Sequence, residues 1–306
     1  MKLFNFENNE DPILKIVKAV HSAAEGTPSM EPEGLKKQRD AQDLLGKMIT
    51  QPIGTTQTNF MIKKIPCAWA KPDYVHLQKK VILYCHGGGY TCGSLTYAGI
   101  MAHKLAMYCG LDVLFFEYRL APENPYPKGL KDAISVWNYL MHIGYGAENV
   151  ILIGDSAGGN MALELCLHLK NNQRLLPSAL VLLSPWTDMT MTSPTYETKQ
   201  DVDPLLTVDY IRVVREAYAG HVKDYANPKL SPLFADLHDF PKTYIQVGES
   251  EILLNDSTAL AKKLLESGVA CKLDIFENGW HVFQQLPMPR SNAAMKEIGT
   301  WVQNNL

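Results

Sequence analysis

Short apolar runs separated by amphipathic stretches recur along the chain from about residue 59 onward. These runs are apolar throughout rather than alternating with polar residues, which is typical of parallel strands covered by helices on both faces of a sheet. Between them, apolar residues recur at helical spacing, as Leu130, Ile134 and Trp137 do. The pattern predicts an α/β fold with a mostly parallel central sheet and helices on both faces. The predicted strands are 60–70, 80–85, 113–116, 150–153, 180–183, 244–247 and 272–276.

Two segments depart from this alternation. Ahead of the first strand, one helical pattern begins after Asp11-Pro12 and runs to Gly26, and a second carries Leu35 and ends before Pro52. We expect these helices to form an added cap, and the alternative is a decoration that only packs on the core. Residues 186 to about 239 carry several prolines and one helical stretch, which predicts an insertion over the C-terminal edge of the sheet.

The composition suits one globular domain spanning residues 1–306, with 46% hydrophobic and 20% charged residues. A formal net charge of −3 supplies no basic field that would attract nucleic acid or anionic lipid. The N-terminal residues lack the apolar core of a signal peptide, and no apolar run approaches transmembrane length. We expect a cytoplasmic protein with no nucleic-acid partner and no stable membrane anchor. The oligomeric state stays open, and a homo-oligomer is compatible with the sequence.

The cysteines show no pattern typical of a metal site or a disulfide framework. Six of them are scattered along the chain, several inside apolar runs, without a Cys-x-x-Cys pair or a His-Glu-x-x-His helix. We therefore expect buried thiols, and neither a metal nor a cofactor.

The segment Gly154-Asp155-Ser156-Ala157-Gly158 joins a predicted strand to a predicted helix. Glycines on both sides of a serine permit a turn so tight that the serine hydroxyl is exposed at the helix N-terminus, as in a nucleophile elbow. Backbone N–H groups in the first turn of a helix have no partner within the helix, so the N–H of Ala157 can stabilise an oxyanion. A purely structural glycine turn is the alternative.

A second glycine-rich loop follows the strand at 80–85. In His86-Gly87-Gly88-Gly89, the glycines allow close approach of the backbone to a substrate oxygen, and we expect the N–H groups of Gly87 and Gly88 to join Ala157 in an oxyanion hole. A phosphate-binding loop is disfavoured because no Gly-Lys-Ser/Thr follows. We expect His86 to fix this loop rather than to act as a base.

Candidates for the acid and the base follow the last two strands. The segment 249–256 is rich in carboxylates, and His281 lies in the loop after the final strand. The order serine, acid, histidine is that of an α/β-hydrolase triad, in which the histidine takes the serine proton and the acid orients the imidazole. We predict Ser156 as nucleophile and His281 as base.

Together, these motifs resemble the hormone-sensitive lipase family of α/β-hydrolase esterases, also known as the bacterial family IV carboxylesterases. The resemblance implies a cap built from residues 1–55 and about 186–239, and activity on short to medium acyl esters. The motifs that carry it are His86-Gly87-Gly88-Gly89, Tyr118-Arg119-Leu120-Ala121-Pro122-Glu123, Gly154-Asp155-Ser156-Ala157-Gly158-Gly159, Ser184-Pro185-Trp186-Thr187-Asp188 and Trp280-His281-Val282-Phe283.

The resemblance also implies the identity of the acid. The family usually has Asp at the position that Glu251 occupies here, and a glutamate supplies the same charge with one more methylene of reach. Asp256 is the rival, although we expect it to cap the following helix. Asp155 is expected to support the elbow.

Other motif residues are expected to have structural roles. The resemblance implies that Tyr118, Arg119 and Glu123 brace the loop below the oxyanion hole. Tyr90 either lines the acyl pocket or packs in the core.

The predicted function is a serine carboxylesterase that forms an acyl-Ser156 intermediate from a small-molecule acyl ester. Fold and triad do not separate this activity from amide hydrolysis or from deacetylation of a small molecule or sugar. A catalytically silent ligand-binding protein on the same fold is a third reading, which the presence of Ser156 and His281 disfavours.

Overall fold

The computed structural model describes residues 1–4, 15, 29–49, 53–77 and 79–306. The first predicted helix, which ends at Gly26, lies outside the described residues apart from residue 15. Within the described part of the chain, no helix is both long and apolar enough to span a membrane.

A sheet of nine strands forms the centre of the molecule, in the spatial order β1-β9-β8-β7-β6-β4-β5-β3-β2. Only β3 runs against its neighbours, and all other adjacent pairs are parallel. This topology confirms the predicted α/β-hydrolase fold. The strands are β1 (Lys2–Phe4), β2 (Thr55–Ile62), β3 (Ile65–Pro72), β4 (Val81–Cys85), β5 (Asp112–Phe116), β6 (Val150–Asp155), β7 (Ala179–Leu183), β8 (Lys242–Gly248) and β9 (Cys271–Phe276).

Eight α-helices are described, and they cover both faces of the sheet. Alternate residues of β4 show this arrangement, because Val81 and Leu83 belong to one buried apolar cluster while Ile82 and Tyr84 belong to another. Such double coverage explains why the central strands are apolar throughout. The helices are α1 (Pro32–Met48), α2 (Leu95–Cys109), α3 (Lys128–His142), α4 (Ala157–Asn171), α5 (Thr195–Thr198), α6 (Val208–Ala219), α7 (Leu254–Glu266) and α8 (Pro289–Gln303).

The first predicted strand, at 60–70, is a hairpin rather than a single strand. It consists of β2 and β3, joined at Lys63 and Lys64, where Lys63 has a positive φ of 55°. The sequence pattern missed this turn because neither residue is a glycine, proline or asparagine, the usual signals of a two-residue hairpin loop. Strand β1 was also missed, because it has only three residues and its first two are exposed.

The segment between β7 and β8 interrupts the alternation, as predicted. It contains α5, α6 and a short 3-10 turn at Pro232–Phe234. Its buried side chains, including Leu206, Ile211, Val214 and Tyr218, belong to the same apolar cluster as one face of the sheet. The insertion is therefore packed onto the body of the protein. Five of the six cysteines are buried and Cys271 is partly buried, and all six are free thiols.

Candidate active site

Ser156 lies on a tight turn between β6 and α4. Its backbone has φ 53° and ψ −121°, a conformation that a residue other than glycine rarely adopts. A Cβ added to Gly154 would lie 2.2 Å from the carbonyl oxygen of Gly158, and one added to Gly158 would lie 2.1 Å from that of Cys85. Both glycines are required by this close backbone approach, which supports the nucleophile-elbow interpretation.

Two hydrogen bonds link Ser156 to His281 and His281 to Glu251. The Ser156 hydroxyl and His281 Nε2 are 2.8 Å apart, and His281 Nδ1 is 2.8 Å from Glu251 Oε2. Glu251 is completely buried. With Nδ1–H donating to the carboxylate, Nε2 is left free to accept the serine proton. The fold thus brings together the three residues that the sequence analysis selected as nucleophile, base and acid.

The Glu251 carboxylate is held from two further directions. Its Oε1 accepts hydrogen bonds from the Ser184 hydroxyl at 2.8 Å and from the Gly248 N–H at 2.6 Å. These donors orient Oε2 towards His281 and satisfy a buried charge. No role was predicted for Ser184 from the sequence, although it directly follows β7, just as the candidates for acid and base follow later strands.

Asp256 has neither of the two roles that the sequence suggested, the acid of the triad or the cap of the following helix. Its Oδ2 accepts hydrogen bonds from the backbone N–H groups of Thr187 at 2.8 Å and Asp188 at 2.9 Å. The prediction that it caps its own helix is wrong, because the N-terminus of α7 has no side-chain cap. Burial raises the pKa of Asp256 to about 8, although the two N–H groups favour its ionised form. Among the described residues, Glu251 and not Asp256 contacts His281.

The glycine loop after β4 departs from the prediction at one position. The Gly87 N–H donates to Asp155 Oδ1 at 3.0 Å, so it is engaged inside the protein and does not join the oxyanion hole as predicted. Gly88 and Gly89, with φ of 103° and 60°, line the cavity beside Ser156. Among the described residues, the N–H groups of Gly88, Gly89 and Ala157 have no hydrogen-bond acceptor. The N–H groups without an acceptor beside Ser156 thus begin one residue later in the loop than the predicted pair Gly87 and Gly88.

Asp155 supports the elbow from below, as expected. Its Oδ1 also accepts a hydrogen bond from the Tyr84 hydroxyl at 2.5 Å. Burial raises the pKa of Asp155 to about 6, against the opposing effect of these hydrogen bonds and of His281. The same carboxylate therefore connects the elbow to the first glycine of the neighbouring loop.

His86 fixes the glycine loop, in agreement with the sequence analysis. It is completely buried, its Nδ1–H donates to the Gly87 carbonyl at 2.7 Å, and its ring stacks on Tyr118 at 4.2 Å between centroids. Burial lowers the pKa of His86 to about 4, so the ring is neutral at physiological pH. The Tyr118 hydroxyl donates to the His86 carbonyl at 2.9 Å, which is the bracing role expected for this tyrosine.

The other two bracing residues act through ion pairs. Arg119 pairs with Asp132 at 2.8 Å, and Glu123 pairs with Arg39 of α1 at 2.8 Å. Arg39 also donates to the Thr91 carbonyl just beyond the glycine loop. Glu123 thus ties α1 to the loop region, a link that sequence analysis did not anticipate.

Tyr90 packs in the core and does not line the cavity beside Ser156. Its ring stacks on Tyr218 of α6 with 3.5 Å between centroids, and its hydroxyl donates to Asn160 Oδ1 at 2.7 Å. Of the two readings that the sequence left open, the packing role is the correct one.

The cavity above Ser156 has a volume of about 90 Å³. Its walls come from six parts of the chain: α1, the glycine loop, α2, the elbow, the insertion and the loop after β9. Side chains from α1 and the insertion that line it are Gln42, Leu45, Trp186, Leu205, Leu206, Tyr210 and Ile211. The site is thus a small, mostly apolar chamber that opens onto the serine.

The electrostatic surroundings of His281 favour its protonated form. Burial lowers its pKa, but the hydrogen bond to Glu251 and the negative charges of Glu251, Asp203 and Asp155 outweigh that effect, and the net result is a raised pKa. This arrangement stabilises the imidazolium that forms when the histidine takes a proton. In the described part of the chain, no group of three or more His, Cys, Asp or Glu side chains is placed to bind a metal.

Known proteins are similar to this chain in both sequence and fold. The profile of a family described as having the alpha/beta hydrolase fold matches residues 82–285. An esterase of Acinetobacter venetianus is 34% identical over 221 residues, which cover 72% of this chain and 73% of that protein. An acetyl-hydrolase of Streptomyces hygroscopicus is 30% identical over 237 residues, covering 77% and 78% of the two chains. The crystal structure of an esterase from the bacterial hormone-sensitive lipase family superposes with a TM-score of 0.90 at 29% identity, covering 97% of this chain and 99% of the other.

Proposed function

The chain belongs to the hormone-sensitive lipase family of α/β hydrolases and is a carboxylic ester hydrolase, and we propose that it cleaves short acyl esters through a covalent acyl-Ser156 intermediate. The observation that supports this proposal is the pair of hydrogen bonds that connects Ser156 through His281 to Glu251. Because the chain is an ester hydrolase, we set aside the third interpretation of its sequence, a ligand-binding protein without catalytic activity.

In the acylation step, His281 Nε2 accepts the proton of the Ser156 hydroxyl while Oγ attacks the ester carbonyl carbon. Glu251 stabilises the imidazolium and keeps its Nδ1–H directed at the carboxylate. The imidazolium then donates its Nε2 proton to the leaving alkoxide, which departs as the alcohol. In deacylation, His281 takes a proton from water as the water oxygen attacks the acyl carbon; the bond between that carbon and Ser156 Oγ then breaks, His281 returns the proton to Oγ, and the carboxylic acid leaves.

The tetrahedral intermediates carry a negative oxygen, for which we propose the backbone N–H groups of Gly88, Gly89 and Ala157 as donors. Support comes from their lack of acceptors among the described residues and from the position of both glycines at the cavity wall. The positive end of the α4 dipole adds to this stabilisation. Losing one donor of this kind typically costs about 2.7–4 kcal/mol in the transition state.

The size of the chamber favours short acyl groups. Its volume of about 90 Å³ is well below the roughly 300–1,000 Å³ of typical small-molecule pockets. A chamber of this size favours an acetyl group, and we expect longer acyl chains to require movement of the wall. We propose that α1 and the insertion form the cap that sets this limit, since they supply seven of the side chains that line the chamber.

The direct test is hydrolysis of p-nitrophenyl acetate, butyrate and octanoate by the wild-type protein and by Ser156→Ala. We expect kcat/KM to fall from acetate to octanoate, and kcat to fall on the order of 10⁶-fold in the variant. Treatment with diethyl p-nitrophenyl phosphate should add one diethylphosphoryl group to wild type and none to Ser156→Ala, as read by intact mass. Equal turnover by both proteins would disprove the role of Ser156.

Deacetylation of a small molecule or sugar is the second candidate, and the acetyl-hydrolase relative favours it. The same acyl-enzyme serves both reactions, so the leaving group distinguishes them. A comparison of phenyl acetate with acetanilide, and of acetylated with butyrylated xylose, separates ester, amide and acetyl-sugar preference.

A further inference from the structure

Asp203 lies in the insertion, and its carboxylate bonds to two different segments. Its Oδ1 accepts hydrogen bonds from the N–H groups of Leu205 and Leu206, both at 2.9 Å. Its Oδ2 accepts one from the N–H of Ile252 at 2.8 Å. A carboxylate that accepts hydrogen bonds from three backbone N–H groups in two segments holds those segments together.

Both segments belong to the site. Leu205 and Leu206 line the chamber above Ser156, and Ile252 is the residue after Glu251. A movement of Leu205 and Leu206 therefore displaces the Asp203 carboxylate and, through it, Ile252, and a movement of Ile252 acts in the opposite direction.

A second residue of the insertion contacts the same loop. The Thr195 hydroxyl donates to the Ile252 carbonyl at 2.6 Å and accepts from the Asn255 N–H at 3.2 Å. The insertion thus bonds to the backbone N–H and to the carbonyl of the residue next to Glu251. This loop has support from the cap as well as from the sheet.

We propose that Asp203 is a positioning and specificity residue, which couples the wall of the acyl chamber to the Glu251 carboxylate. This inference rests on the proposed function of Ser156, His281 and Glu251. Asp203 acts through its neighbours: it holds Ile252 so that Glu251 faces His281, and it holds Leu205 and Leu206 so that the chamber stays small.

Its charge gives a readout that a merely structural role would not produce. The charged groups that raise the pKa of His281 are Glu251, Asp203 and Asp155, in that order. Burial raises the pKa of Asp203 itself to about 6, against the three N–H groups, so it is ionised at neutral pH. Removal of this charge lowers the pKa of His281.

The test compares Asp203→Asn with Asp201→Asn. Asparagine keeps the shape of Asp203, but its single carbonyl oxygen accepts from one segment only and its NH₂ group faces an N–H of the other. Asp201 is exposed and two residues away, so Asp201→Asn matches the change in charge. Both variants are assayed on p-nitrophenyl acetate and hexanoate between pH 5 and 9, with the Tm measured in parallel.

For Asp203→Asn we expect kcat on the acetate to fall about tenfold or more, as for a lost hydrogen bond to a charged group. The ratio of kcat/KM for hexanoate to that for acetate rises, and the acid limb of kcat/KM moves to lower pH. Asp201→Asn keeps wild-type values. A lower kcat with an unchanged acid limb and unchanged selectivity would overturn the inference, as would wild-type behaviour of Asp203→Asn.

If Asp203→Asn does not fold, Asp203→Glu replaces it, because glutamate retains the charge and displaces the carboxylate. It should lower kcat/KM on the acetate and alter selectivity while leaving the acid limb in place, and wild-type kinetics would overturn the inference. Failure of the proposed function would be visible separately, as turnover by Ser156→Ala equal to that of wild type.

Discussion

The elbow at Ser156 and the loop at Glu251 lie at the same edge of the sheet, yet they hold their side chains by different means. The elbow is shaped by the backbone of β6 and α4, with glycines where the chain approaches itself. The acid loop depends on distant side chains: Ser184 is 67 residues from Glu251 in the sequence, and Asp203 is 49 residues from Ile252. The elbow thus depends on close backbone packing, within the turn and against Cys85 of β4, whereas the acid loop depends on side-chain hydrogen bonds between distant segments.

This difference predicts different consequences of mutation. Changes at the elbow glycines force backbone atoms together, so they should reduce stability. Changes around Glu251 remove individual hydrogen bonds to one carboxylate, so they should reduce the rate while leaving the protein folded.

The largest effect is expected for Glu251→Gln. The amide cannot stabilise the imidazolium and disturbs the His281 tautomer, so kcat should fall about 10⁴-fold. Steady-state kinetics on p-nitrophenyl acetate measure this, with circular dichroism to verify folding. The control is Asp256→Asn, which retains an oxygen for the N–H groups of Thr187 and Asp188 and should stay within about tenfold of wild type. The opposite ranking of the two variants would assign the acid to Asp256.

At the elbow, Gly158→Ala should destabilise the fold by about 3 kcal/mol, the upper part of the range for overpacking. The new Cβ meets the carbonyl oxygens of Cys85 at 2.1 Å and His86 at 2.5 Å, and neither backbone atom can move freely. Urea denaturation measures the change in the free energy of unfolding.

The matched control for that experiment is Gly144→Ala. Gly144 has φ of 101° and open space around its Cβ position, so only conformational strain of about 1–2 kcal/mol is expected there. Gly158 has no positive φ, so its loss comes from the contacts of the new Cβ, and a loss no larger than that of Gly144→Ala would contradict the expected clash at the elbow.

Ser184→Ala should lower kcat about tenfold, because it removes one donor to the Glu251 carboxylate. The Ser184 oxygen also accepts the Val282 N–H at 3.3 Å, so the substitution loosens the loop that carries His281. Ser178→Ala, just before the other end of β7, removes a hydrogen bond to the Val150 carbonyl and should leave kcat unchanged. A Ser184→Ala enzyme with wild-type kcat would show that Gly248 alone suffices to orient the acid.

The smallest effect concerns pH. His281 must be neutral to accept the serine proton, and its pKa is raised above 6.5, so kcat/KM should fall as the pH drops through a value above 6.5. A pH profile of kcat/KM with p-nitrophenyl acetate measures the acid limb of the free enzyme. A limb below pH 6.5 would mean that burial, rather than the surrounding carboxylates, dominates the environment of His281.

Predictions from the sequence succeeded where the signal was local or followed a rule of the fold. Ser156 was identified because glycines, a strand and a helix surround it within a few residues. His281 and the acidic segment 249–256 were found because the carboxyl ends of parallel strands meet at one edge of the sheet, and the choice of Glu251 within that segment came from the family resemblance. The hairpin turn at Lys63 and Lys64 lacks any turn signal and was missed.

Errors arose where a polar group has several accessible partners. Gly87 and Gly88 are equivalent in the sequence, and only the position of Asp155 in space decides that the Gly87 N–H is engaged internally. Asp256 was expected to cap its own helix, but its carboxylate accepts the backbone N–H groups of Thr187 and Asp188 instead.

By itself, the sequence determined the class of fold, the elbow and the order of the candidate residues, because these depend on periodicity and on steric limits within a few residues. Only the tertiary structure decided which N–H groups face the chamber, which carboxylate meets His281 and how small the chamber is. Those outcomes depend on contacts between segments far apart in the chain, and hydrogen bonds of that kind leave no periodic trace in the sequence. Ser184 and Asp203 are the clearest cases, since each acts on the Glu251 loop from a different part of the chain.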